Sequence, residues 1–232
     1  MTRIKILVSA SAIALGVTLA AAPAQAQEPE GWYIGAAATG SFLNAPRQTV
    51  ANAPMPGSTL RATNNVDTGL GWQAEFGRAF HRFRIEAEIG RTENDPHSYT
   101  VTSPASLANT IPQTGEFAAM RYMANGYFDF LDGPVRPYIG AGAGIARVHV
   151  VTIAPRAPFP TEPPRTLIDD SGSHFAWQLM AGASLRVARR LALTAQYRWF
   201  DAGTIAGHDT RGQRFTEKMS GHNIDVGLRF TF

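Results

Sequence analysis

Polar and apolar residues alternate along most of this chain with a period of two. Its last stretch is the clearest case: Ile224, Val226, Leu228, Phe230 and Phe232 share one face, and Asn223, Asp225, Gly227, Arg229 and Thr231 the other. A strand turns successive side chains to opposite sides, so this pattern predicts a strand with two unlike faces. Phe83, Ile85, Ala87 and Ile89 likewise alternate with Arg84, Glu86, Glu88 and Gly90. Six more segments fit the same template. The first runs from about Gly31 to Phe42, with Trp32, Ile34, Ala36 and Ala38 on its apolar face. The second, about Thr68 to Arg78, sets Leu70, Trp72, Ala74 and Phe76 against Gly71, Gln73, Glu75 and Gly77. The fourth covers about Glu116 to Phe130 and the fifth about Val135 to Val148. The sixth spans Trp177 to Arg186 and the seventh Leu191 to Trp199, which gives eight strands in all.

The connections alternate as well. Ala79 to Arg82, Leu131 to Pro134 and Ala188 to Arg190 are tight turns. The segments 43–67, 93–114, 149–173 and 201–219 are longer than the unstructured loops compact soluble domains usually carry. Short turns at one end and long loops at the other are the plan of an outer-membrane barrel. A soluble barrel or sandwich would turn its apolar face inward and a solvated polar face outward. Here the apolar face carries the bulky rings. Trp32, Phe83, Phe128, Phe130, Phe230 and Phe232 fall beside the short turns, and Trp177, Tyr197 and Trp199 toward the long loops, as two interfacial girdles require. The expected fold is therefore all-β: an eight-stranded antiparallel up-and-down transmembrane β-barrel with short periplasmic turns and four long extracellular loops.

The N-terminus sets the compartment. Arg3 and Lys5 precede an uncharged apolar run from Ile6 to Ala22, and Ala24-Gln25-Ala26 offers a cleavage site before Gln27. Residues 1–26 thus read as a cleaved secretory signal and 27–232 as the barrel domain. Losing Arg3 and Lys5 leaves 19 positive against 18 negative groups, too even for a nucleic-acid footprint. With no Cys among 232 residues, disulfide scaffolds and thiolate metal sites are excluded. No later segment reaches 18 consecutive apolar residues, which excludes a helical membrane protein.

Five segments carry a family resemblance. They are Gly31-Trp32-Tyr33-Ile34-Gly35-Ala36, Asn125-Gly126-Tyr127-Phe128-Asp129-Phe130, the stretch from Pro137 to Gly144, Tyr197-Arg198-Trp199-Phe200-Asp201, and Gly227-Leu228-Arg229-Phe230-Thr231-Phe232. In this order they resemble the eight-stranded OmpA-like and opacity-type outer-membrane proteins, a group that includes small porins. The resemblance implies an integral outer-membrane protein of a Gram-negative cell, with roles in envelope integrity and loop-mediated surface contact and no cofactor. It also implies that Phe232 is the terminal aromatic read by the barrel-assembly machinery. Its further partners would be outer-membrane lipid and lipopolysaccharide, and a host or surface ligand on the extracellular loops.

An eight-stranded barrel is just wide enough for side chains to fill. The inward face is expected to hold Glu75, Glu86, Glu88, Asp129 and Asp225 against Arg84, Arg121, Arg186, Arg198 and Arg229. Gln73, Asn125, Tyr138, Gln178, Gln196 and Asn223 supply further donors and acceptors. Buried charges must pair, so such a lumen is a plug. Gly35, Gly140, Gly142 and Gly144 leave room beside the first and fifth strands, which keeps a narrow passive pore as the runner-up.

Enzymatic readings rest on the polar loops. Asp169-Asp170 and His208-Asp209 resemble the paired acids and Asp-His pair of omptin proteases, which activate a water. Ser220-Gly221-His222 and His97-Ser98 are the nearest approach to a lipid A deacylase, but neither reproduces its spacing. His149, His174, His208 and His222 flank loops three and four, where two could meet, although two histidines alone make a poor metal site. Proline-rich stretches, Pro155 to Pro160 with Pro163-Pro164 and Pro54-Met55-Pro56, predict stiff loops without regular structure.

Overall fold

The computed structural model describes residues 30–51, 57–154 and 165–232, so the signal segment and the proline-rich stretches lie outside the described residues. Among the described residues twelve strands form one sheet: β1 (Gly31–Leu43), β2 (Arg47–Ala51), β3 (Thr59–Val66), β4 (Gly69–Phe80), β5 (Phe83–Asn94), β6 (Pro96–Ser103), β7 (Asn109–Pro112), β8 (Thr114–Asp129), β9 (Val135–Ala154), β10 (Arg165–Ala188), β11 (Leu191–His208) and β12 (Arg214–Thr231). Eight of them, β1-β4-β5-β8-β9-β10-β11-β12, follow one another as antiparallel neighbours. The ring closes where β12 pairs with β1, from Tyr33 opposite Thr231 to Leu43 opposite Gly221. Closure leaves no open edge within the ring, which a bilayer demands of a strand protein because it offers no water to unpaired amides.

The lipid-facing side is the one expected. Leu70, Ile85, Ile139, Leu179, Val226 and Leu228 are all exposed. Rings cluster beside the periplasmic turns, with Trp32 stacked on Phe76 at 5.1 Å and Phe128 edge-on to Phe130 at 5.4 Å. At the β4–β5 turn His81 takes a left-handed conformation (φ 54°), and Arg82 reaches across to Asp132 of the β8–β9 turn at 2.8 Å.

Above the membrane the structure departs from the expectation of four irregular loops. β8 to β12 run on past the outer girdle, while β2, β3, β6 and β7 extend the sheet sideways from the upper end of β12 in the order β12-β2-β3-β6-β7. The reason lies in the side chains. Phe117, Val148, Val150, Ile205, Phe215 and Met219 keep the period of two but are buried inside the tube. Outward of them stand Thr204, Lys218 and Ser171. The amphipathicity therefore inverts at the outer interface: apolar outside and polar inside within the membrane, polar outside and apolar inside above it. Strands bounded by the lipid-facing pattern stop one interface too early.

Candidate functional site

The lumen is filled in two storeys. The lower storey is polar. Near the periplasmic end Arg84 pairs with Asp129 at 3.1 Å and lies between the rings of Tyr127 and Tyr138, 4.6 and 4.7 Å from their centroids. Above it Glu86 accepts from three neutral donors: the Tyr33 hydroxyl at 3.0 Å, the Tyr127 hydroxyl at 2.9 Å and Asn125 Nδ2 at 3.0 Å. The arginine partner that the inward charge balance suggests for Glu86 is replaced in this role by two phenols and an amide. Glu75 lies 3.8 Å from Arg229, whose guanidinium covers the Tyr33 ring at 5.1 Å.

Arg198 is the hub. Its Nη1 donates to Glu88 and to Gln178 Oε1, its Nη2 to Gln73 Oε1, and its Nε to Asp225 at 3.1 Å. Asp225 also accepts from the Thr39 hydroxyl at 2.7 Å and from Gln196 Nε2 at 3.1 Å. Glu88 accepts further from Asn125 at 2.8 Å and lies 3.6 Å from Arg121. A carboxylate–guanidinium net of this kind holds charge in a closed interior because each of the two carboxylates accepts several donors, while Arg121 keeps Nε and Nη2 without a hydrogen-bond partner.

Nine of the ten charged residues expected on the inward face thus stand together in this storey, with Asn125 among them. Arg186 stands apart, half-buried at the periplasmic end of β10. Pattern reading overlooked Tyr33, which lies between two lipid-facing residues, and Arg136, buried at the start of β9 beside Pro137. The alternation itself could have found Tyr33. The glycines do leave room, but their neighbours occupy it: a Cβ at Gly35 would collide with the Glu75 carboxyl, at Gly140 with the Tyr127 ring and at Gly142 with Asn125 Oδ1.

The upper storey is apolar. Arg121, fully buried, sits 5.6 Å from the Phe200 ring, and from there upward Phe117, Phe200, Phe215 and Met219 fill the tube. Between the storeys lies a cavity of only about 10 Å³, lined by Ser41, Asn94, Phe117, Phe200 and Asn223. That is at the lower limit for one water.

Above the plug, in the extracellular extension, Glu217 is buried where β12 meets β2. One oxygen accepts from Asn64 Nδ2 at 2.6 Å, and its other oxygen has no partner. Gln113 Nε2 donates in turn to Asn64 Oδ1 at 2.9 Å. Burial pushes the Glu217 carboxyl up to about 7, with the Asn64 bond opposing it.

The rim residues are engaged structurally. Asp170 accepts from the backbone N–H of His208 at 3.0 Å and of Ser171 at 2.8 Å. Asp209 accepts from the N–H groups of Arg211 and Gln213 and thereby fixes the β11–β12 turn. Asp169 bonds His149 at 3.1 Å, and Asp67 bonds His97 at 3.2 Å. His222 pairs with the Tyr197 hydroxyl and meets the Trp199 ring edge-on at 4.7 Å, while Ser220 accepts from Asn44. Ser98 accepts from Asn65. Neither serine is bonded to the histidine beside it in sequence. Among the described residues no three His, Asp, Glu or Cys side chains cluster as a metal site would require.

A closed ring of this topology, aromatic at both interfaces and filled with polar side chains within, defines an integral outer-membrane β-barrel. The chain belongs to the outer membrane protein beta-barrel domain family, whose model matches residues 12–232. It is 27% identical over 119 residues to outer membrane protein PagN of Salmonella typhimurium, an alignment covering 48% of each chain, so it spans about half the length of that curated relative. Among solved structures it resembles the outer membrane protein OprG from Pseudomonas aeruginosa (8% identity, 89% of this chain and 98% of that one, TM-score 0.59). It also resembles the outer membrane protease OmpT from Escherichia coli (10% identity, 90% and 99%, TM-score 0.52). At these identities the two structures share the fold and carry no activity across.

Proposed function

We propose that this protein is a closed, non-enzymatic barrel that anchors a folded β-platform at the cell surface and contributes to envelope integrity and surface contact. The observation that carries this reading is the double seal of the lumen: the Arg198-centred polar net below, and Phe117, Phe200, Phe215 and Met219 above it. A solute would have to break several buried charged hydrogen bonds and then displace packed rings, with no compensating site on the way. The non-enzymatic part is supported by Asp170, both of whose oxygens accept backbone N–H groups, and by Asp209, whose Oδ1 accepts two more in fixing its turn. In the same reading Phe232, exposed beside the periplasmic turns, serves as the terminal signal for the barrel-assembly machinery.

Planar-bilayer recording of the refolded mature protein tests the seal. Inserted protein is expected to give no discrete conductance steps at neutral pH. Reproducible steps would transfer the assignment to a narrow passive pore, opened along the β1 and β9 glycines.

A further inference from the structure

A cavity of about 170 Å³ opens at the extracellular mouth of the tube, above the apolar storey. Its apolar wall is made by Val50 of β2, Leu60 of β3, Tyr99 of β6, and Leu167 and Ile168 of β10. Alternation puts the first two there: Val50 is buried beside exposed Ala51, and Leu60 turns inward between exposed Thr59 and Arg61. On β10 the register shifts between Thr166 and Ile168, so two successive side chains, Leu167 and Ile168, both reach the cavity. An irregularity of this kind re-aims a side chain that strict alternation would send outward. Val50 and Ile168 belong to the same cluster as Phe117 and Phe215, and Leu60 and Leu167 pack against it. The cavity is therefore a blind cup resting on packed rings. Exposed Thr210 and Arg211, in the turn between β11 and β12, stand at its rim and place its opening toward the medium.

One polar group in this wall is left over. Gln48 of β2 lines the cup and is only 4% exposed, yet its Nε2 is buried with no hydrogen-bond partner among the described residues. Its neighbours do not meet it. Glu217 lies directly opposite on β12, but its bonded oxygen takes Asn64 and its other oxygen is left unused by Gln48. Asp209 at the rim has its Oδ1 engaged by the N–H groups of Arg211 and Gln213. A buried donor without an acceptor costs free energy that a ligand oxygen would recover.

Size and charge select the ligand. An apolar cavity of roughly 150 Å³ holds one benzene ring, so this cup has room for a single ring with a small substituent. An ion enclosed among Val50, Leu60 and Ile168 would need a buried counter-charge, and the unmet group there is a neutral amide. From these observations we infer that the cup binds small uncharged monocyclic carbonyl compounds. The ring lies against the aliphatic wall, and the carbonyl oxygen accepts from Gln48 Nε2. The site is separate from the outer surfaces through which the platform would make contact, and the inference stands whether or not the lumen below conducts.

The test uses the refolded protein, ¹⁵N-labelled, in lipid nanodiscs, with acetophenone, toluene and benzoate as probes. Binding is read as saturable shifts of the Gln48 side-chain amide and of the Val50 and Leu60 backbone amides. Acetophenone is expected to saturate at about fivefold lower concentration than toluene, which lacks the oxygen, and benzoate to bind more weakly than acetophenone. Gln48→Leu, which keeps the volume and removes the donor, should lose about fivefold for acetophenone and nothing for toluene. Leu60→Trp, which fills the cup, should abolish both. Arg61→Ala, one residue along β3 on the outer face, should change neither. Heat-modifiable gel mobility reports that each variant is folded, and if Leu60→Trp does not fold, Gln48→Leu decides. A Gln48 amide signal that ignores every probe would mean that Glu217 satisfies it, and would overturn the inference. Acetophenone binding no tighter than toluene, or unchanged in folded Gln48→Leu, would do the same. Benzoate bound more tightly than acetophenone would overturn the uncharged class and reassign the cup to an anion.

Discussion

Single residues in the lumen differ in what they hold. Had Glu86 faced an arginine, as the inward charge balance suggests, its truncation would strand that cation at a cost of about 3–5 kcal/mol in a closed interior. Its donors are instead Tyr33, Tyr127 and Asn125. Glu86→Ala therefore removes the acceptor of three neutral donors, at about 1 kcal/mol each, and the expected loss is about 3 kcal/mol of unfolding free energy, read from urea unfolding and refolding curves. Glu86→Gln, which keeps an acceptor, should lose about 1 kcal/mol. An Ala variant as stable as wild type would mean that these phenols find water. Arg198 and Glu88 were legible from alternation alone, since facing Leu193 to lipid turns Arg198 inward and facing Ile85 and Ile89 to lipid turns Glu88 inward. Arg136 was not, because it sits among the prolines of a turn, where period two has no run long enough to read.

Whole strands show why depth and extent needed coordinates. Leu193 lies one cross-strand row above the Leu191–Phe230 pair beside the periplasmic turn, whereas Val226 stands midway between His222 and Phe230. The cost of a lipid-facing arginine depends on depth. Val226→Arg should destabilise the inserted barrel by about 2–4 kcal/mol and Leu193→Arg by about 1 kcal/mol or less, measured by denaturant unfolding in lipid vesicles. Equal costs would mean a membrane placed lower on the barrel.

The pairing of β12 with β2 carries a titration. Glu217 is pushed up to about 7 from an ordinary value of 4.5. Below pH 4.5 it is protonated whether the extension is formed or open, and the extension has its full stability. Between 4.5 and 7 the formed state holds more protons than the open one, so stability falls as pH rises and the loss is complete above 7. The upper bound on that loss is about 3 kcal/mol. Amide exchange protection of β2 and β3 should therefore weaken from pH 5 to pH 8, and Glu217→Gln should flatten the profile. A wild-type profile without slope would place water on the unpartnered oxygen.

For the molecule as a whole, the membrane half was legible because lipid outside and charge inside leave opposite marks on alternate residues. The extracellular half uses the same period with the marks exchanged, as Phe215, Glu217 and Met219 facing inward against Thr216 and Lys218 facing outward show. A reader who follows lipid-facing residues reaches Ile224 and stops, though the ladder runs ten residues further to Arg214. Placing β2 and β3 required knowing that they dock on this extension, a long-range pairing that mostly polar strands of five and eight residues do not announce locally.

The continuous ladder also bears on digestion at the cell surface. A protease binds its substrate as a loose extended segment, with the main chain free on both sides of the cut. Arg47, Arg61, Arg214 and Lys218 are ready targets by residue type, yet their backbones lie within paired strands. Trypsin acting on whole cells would then find its best opening among the described residues at Arg211, in the turn after His208. A nick there would separate two strands that stay joined through the rest of the ring.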